Sequence, residues 1–94
     1  MGYYTSKELE EDLTAACGDL DRAFKGGPYV FDFFLYESSS MADCFIQNYG
    51  IKPADLEDIK DVIRDNVGYI LDIQYAALDM GEYSFHIVVE YTPL

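Results

Sequence analysis

Residues 69–91 read YILDIQYAALDMGEYSFHIVVEY, and the fold follows from how this stretch divides. Apolar residues recur at every second position on either side of Asp79-Met80-Gly81, which is the period of a strand with one buried face. Tyr69 to Leu78 and Glu82 to Tyr91 are therefore expected to be strands. Their core faces would be Tyr69, Leu71, Ile73, Tyr75 and Ala77 on the first, and Tyr83, Phe85, Ile87, Val89 and Tyr91 on the second. For both sets to face one core, opposed residues must share parity. A three-residue loop with Gly81 in the left-handed region meets that condition. It closes on Leu78 and Glu82, setting Tyr75 opposite Phe85 and Tyr69 opposite Tyr91.

Upstream of this hairpin the period changes. Pro53 suits a first helical turn, where its missing amide costs nothing, and Leu56, Ile59, Val62, Ile63 and Val67 then form a buried stripe. At the other end, Thr5-Ser6-Lys7-Glu8 reads as a capping box that opens a helix. Its stripe is Leu9, Leu13, Ala16, Cys17, Leu20, Ala23 and Phe24, and Gly26-Gly27-Pro28 stops it, with glycine as a left-handed cap. Tyr29 to Tyr36 alternates as a strand with two largely apolar faces, Tyr29, Phe31, Phe33 and Leu35 against Val30, Asp32, Phe34 and Tyr36. After the polar Glu37-Ser38-Ser39-Ser40, residues 41–49 read as a short helix aligning Met41, Phe45 and Tyr49, or alternatively as a further strand.

The expected architecture is one α+β domain spanning residues 1–94, in the order α-β-α-α-β-β. An antiparallel sheet of three strands, four if residues 41–49 are extended, would carry the helices on one face. The other face would show Asp32, Asp72, Gln74, Ser84, His86 and Glu90, a mixed surface.

Charge narrows function more than pattern does. Of 94 residues, 18 are Asp or Glu and six are Lys or Arg, a net charge of -12, while half the chain is apolar. Such a chain folds, and its charge excludes gripping nucleic acid phosphates or an anionic membrane as a main activity. No apolar run is long enough to span a bilayer, and MGYYTSKELEEDL lacks the basic start and apolar core of a signal peptide, so a soluble, cytoplasmic protein is expected. Gly2 and Ser6 fit an N-myristoylation pattern, but one acyl chain beside acidic residues anchors poorly. Cys17 and Cys44 are expected to be buried thiols.

The residues point away from catalysis. The single histidine, His86, sits in a strand opposite Gln74, away from both cysteines, so no nucleophile and base pair forms. There is no metal-ligand spacing, calcium loop or phosphate-binding glycine pattern, so neither enzyme activity nor a cofactor is expected.

What remains is the placement of acid. On the first helix, Glu8, Asp12 and Asp19 share one side with Glu11 beside them, and Arg22 is the ridge's one cation. On the later helix, Glu57, Asp61 and Asp65 follow at every fourth position with Asp58 alongside. Like charges at that spacing cost a helix a few tenths of a kcal/mol per pair, so a plain solvated face would alternate acid with lysine. One carboxylate per ~6 Å of axis is sparser than duplex DNA but has its sign and linear form. These eight residues are the candidate partner-binding set. Among the nine tyrosines, Tyr3, Tyr4, Tyr36 and Tyr49 are the contact candidates, since tyrosine favours interfaces, while Tyr69, Tyr75, Tyr83 and Tyr91 are expected in the core.

In size, acidity and tyrosine content, with ridges such as Glu57-x-x-x-Asp61-x-x-x-Asp65, the chain resembles the small phage-encoded inhibitors: anti-CRISPR, antirestriction and other DNA-mimic proteins. These share no common fold, so no residue role carries over by alignment. The resemblance implies a bacterial host cytoplasm and a basic partner, a nucleic-acid-binding protein or nuclease complex such as a CRISPR effector. Carboxylates would take the place of phosphates in its DNA channel and block target binding. An immunity protein neutralising a basic toxin nuclease, or a non-catalytic adaptor domain, are the alternatives.

Overall fold

The computed structural model describes residues 2–25 and 27–93. Two helices, α1 (Ser6–Ala23) and α2 (Leu56–Asn66), accompany four strands: β1 (Val30–Tyr36), β2 (Met41–Tyr49), β3 (Ile70–Ala77) and β4 (Glu82–Glu90). The class is α+β, and the chain order is α-β-β-α-β-β. The three strand pairings are antiparallel in the spatial order β1-β2-β4-β3, so β2 and β4 form the centre and β1 and β3 the edges.

Local chemistry starts α1 as its sequence suggests. The Glu8 amide donates to the Thr5 hydroxyl (3.1 Å) and that hydroxyl donates to the Glu8 carboxylate (3.2 Å). The helix ends before the glycines, with Phe24 extended and its N–H donating to the Leu20 carbonyl. Of the glycines expected to form a left-handed cap, Gly27 is not in that region and Gly26 lies outside the described residues. Pro53 opens a 3-10 turn, Pro53–Asp55, that feeds α2.

Residues 41–49 are a strand, which corrects the helical reading. Met41, Phe45 and Tyr49 recur every four residues, a spacing that places residues on one face of a helix and equally on one face of a strand. The deciding signal is the other set: Ala42, Cys44, Ile46 and Asn48 alternate as buried residues. They continue the core face through Leu35↔Ala42↔Val89, Phe33↔Cys44↔Ile87 and Phe31↔Ile46↔Phe85.

The hairpin has its expected register from Ala77↔Tyr83 back to Asp72↔Val88, including Tyr75↔Phe85. Its loop closes through the Leu78 N–H on the Glu82 carbonyl (2.7 Å), with Gly81 at φ 76°. Beyond Asp72 a bulge adds one residue to β3, and Ile70 pairs with Val89. Parity therefore flips: Ile70 and Ile73 both turn inward, and Leu71 is 57% exposed instead of buried. Tyr69, half exposed at φ 55°, precedes the strand and meets β4 through its carbonyl, which accepts the Glu90 N–H (2.9 Å), while Tyr91 pairs with Tyr3 instead of Tyr69. An alternation argument carries no signal for an inserted residue. Tyr75 and Ala77 are also exposed, because β3 is an edge strand.

Both helices cover the same face of the sheet, α1 over β1 and α2 over β3. Leu9, Leu13, Leu20, Ile59 and Ile63 join Ile46, Phe85, Ile87 and Val89 in one fully buried cluster. Each such side chain contributes about 1.5–3 kcal/mol through the water it sheds. The Tyr3 bridge ties the N-terminal segment to this core, and its close approach explains Gly2, where a Cβ would meet the Glu90 carbonyl oxygen at 2.4 Å.

Candidate functional site

The helices run antiparallel. The end of α1 (Ala23, Phe24) and Ile59 near the start of α2 line one depression of about 470 Å³, Asn66 at the end of α2 reaches Asp19, and Gly68 just beyond it meets Tyr3 beside Asp12. Their outward surfaces therefore form one layer, and both acidic helices face the same side of the molecule.

Within that layer the eight acidic residues divide into two kinds. Glu57, Asp58, Asp61 and Asp65 on α2, and Glu8 and Glu11 on α1, are exposed. Asp12 and Asp19 are half-buried and are engaged by other parts of the chain. The Tyr3 hydroxyl, on a ring only 4% exposed, donates to Asp12 Oδ2 (2.5 Å) and accepts the Gly68 N–H (2.7 Å). Burial, reinforced by the Asp12 carboxylate, pushes the Tyr3 phenol above its ordinary range, so it remains a donor. Asp19 accepts from the Asn66 side-chain amide (2.9 Å) and pairs with Arg22. The Asn66 hydrogen bond first, and Arg22 second, hold its carboxyl below the usual range. Tyr3 is thus an internal strut and not a contact residue. Tyr36 and Tyr49, at 47% and 64% exposure, do face solvent.

The α2 ridge is partly compensated. Lys60 reaches Glu57 (3.7 Å) and Arg64 reaches Asp61 (3.4 Å) from the flank. Exposed pairs of this kind contribute at most about 1 kcal/mol each, and they leave the face net negative.

The opposite face of the sheet carries a second charge pattern. Its rows are Tyr36–Met41–Glu90, Phe34–Asp43–Val88–Asp72, Asp32–Phe45–His86–Gln74 and Val30–Gln47–Ser84–Ala76. The mixed character expected for this face belongs to its β3 and β4 half. The β1 and β2 half is the more apolar, because β2 brings Met41 and Phe45 beside Phe34 and Tyr36, with Asp32, Asp43 and Gln47 interspersed. Phe34 meets Phe45 edge-on at 6.1 Å between ring centroids, Phe45 stacks on His86 at 4.8 Å, and His86 Nε2 lies 2.9 Å from Asp43 Oδ1. The signal was present in the sequence as the open face of β1. It was lost with the helical reading of its neighbour.

Cys17 and Cys44 are buried free thiols, and burial pushes both up to about 12, away from nucleophilic thiolate. Among the described residues no group of three His, Cys, Asp or Glu side chains is placed to hold a metal ion, and no helix is long and apolar enough to cross a membrane. No protein-family model, curated protein or solved structure matches the chain.

Proposed function

We propose that this chain is a non-catalytic acidic inhibitor that occupies the basic nucleic-acid channel of a nuclease complex, in the manner of anti-CRISPR and antirestriction DNA mimics. The observation that carries this reading is that α1 and α2 cover the same face of the sheet, so the exposed Glu8 and Glu11 belong to one layer with the exposed Glu57, Asp58, Asp61 and Asp65, toward the Asp65 end of α2. Six exposed carboxylates in one layer outnumber the cations of α1 and α2 and leave it net negative, and such a field steers and orients a basic partner. Asp12 and Asp19 support this layer from within.

The test is capture from bacterial lysate at low and then high salt, with wild type and with Glu57→Lys, Asp61→Lys and Asp65→Lys combined. The expected result is recovery of a nucleic-acid-binding complex that is released by salt and by its own DNA and is lost with the triple variant. Equal capture by the folded triple variant sinks the assignment to this layer. Recovery of a small nuclease that DNA does not displace replaces it with the immunity-protein reading.

A further inference from the structure

The face of the sheet turned away from the helices is most apolar along its β1 edge, is interspersed with carboxylates and, among the described residues, carries no lysine or arginine. Val30, Phe34, Tyr36 and Met41 are 54%, 50%, 47% and 39% exposed, and Val30, Phe34 and Phe45 line a common shallow depression. With aromatic side chains presenting 150–250 Å² each when free, roughly half-exposed groups of this kind make an apolar patch on the order of 400 Å². That is the size of the largest apolar patch on a typical monomer, which is often functional. Asp32, Asp43, Asp72, Glu82 and Glu90 share the same face by register. All six Lys and Arg lie elsewhere, on α1, on α2 or in the segments that adjoin them.

We infer that this open sheet face is a second docking surface, and that its occupant is a basic protein segment whose apolar side chains seat on Phe34 and its neighbours while flanking Lys or Arg meet the carboxylates. Exposed Phe, Tyr and Met side chains are the types enriched in protein interfaces, and the carboxylates among them favour a cationic partner. The charge selects among occupants. A second copy of the chain would set five carboxylates against five with no lysine or arginine between them. A nucleic acid strand could stack on the aromatic rings, but its phosphates would meet the same carboxylates. A basic protein segment satisfies both halves of the face. The surface is independent of the helix layer, since the sheet separates the two.

The probe is a helical peptide with one leucine face flanked by lysines, titrated into the isotope-labelled chain and followed by amide NMR shifts. Shifts should concentrate at Phe34, Phe45, His86 and Val88. Binding should weaken about tenfold in the Phe34→Ser, Tyr36→Ser double variant, as hot-spot truncations do. The same weakening is expected when the peptide's leucines become serines, a comparison that leaves the protein untouched. The Glu57→Lys, Asp61→Lys, Asp65→Lys variant should give the same shift map, which separates this surface from the proposed inhibitory one. Shifts confined to α1 and α2, indifference to the peptide's leucines, or no shifts at millimolar peptide overturn the inference. So does a dimer at neutral pH in sedimentation that buries this face, or an oligothymidine that displaces the peptide.

Discussion

Replacing Tyr3 with Phe removes one oxygen and leaves the buried ring in place, so it isolates the polar junction joining the N-terminal segment, α1 and the end of α2. The Tyr3 hydroxyl serves Asp12 and Gly68 at once, at 2.5 and 2.7 Å. A hydrogen bond to a charged group contributes about 1.5–3 kcal/mol, and a neutral one about 1. Asp12 and Gly68 are half-exposed and can recover water, so the lower part of that range applies and the loss should be about 2 kcal/mol. In a domain of this size each kcal/mol moves Tm by about 4–8 °C, giving a fall of about 10 °C by circular dichroism at neutral pH. Asp12→Asn keeps an acceptor and should lose roughly half as much. A Tyr3→Phe melting point within about 3 °C of wild type would refute the strut assignment. An Asp12→Asn variant with unchanged stability and weakened partner binding would return Asp12 to the recognition surface.

Three further outcomes follow from the same structure. Because its folded-state carboxyl is lowered, Asp19 contributes stability above its unfolded titration range and loses it as pH falls through the folded value; Asn66→Ala should move its NMR titration upward toward the ordinary range. No change in that titration would mean the bond is absent in solution. Both cysteines should resist thiol reagents at pH 8 in the folded chain and react fully in denaturant, and fast native labelling of Cys44 would contradict its burial. Leu71→Ser should change stability by no more than about 0.5 kcal/mol in urea titration, whereas Ile87→Ala should cost about 2–5 kcal/mol. Equal costs would place Leu71 in the core and remove the bulge.

How much was legible in the sequence depended on whether a feature is periodic. The capping box at Thr5 and Glu8, the α2 stripe and the register from Tyr75↔Phe85 to the hairpin loop are all local patterns, and each is present as expected. Residues 41–49 were ambiguous because a spacing of four satisfies two geometries, and the outward apolar Met41 and Phe45 with the inward polar Asn48 obscured the alternation of Ala42, Cys44 and Ile46. The bulge at Leu71 has no periodic trace. The division of the acidic set was also out of reach, because the groups that hold Asp12 and Asp19 belong to other segments. Glu57 to Asp65, with partners only within their own helix, remained on the surface as the helical period places them.

The central ladder has a consequence for how the chain reaches this structure. The β1–β2 and β3–β4 pairs are hairpins that close over short loops, but β2 finds β4 only across α2 and β3, and the Tyr3–Tyr91 bridge spans nearly the whole chain. Closing long loops costs entropy before contacts repay it. Two locally paired halves should therefore form first and be sewn together along β2 and β4, with the Tyr3 clasp fastened last. Loosening of the native chain would begin at that same clasp.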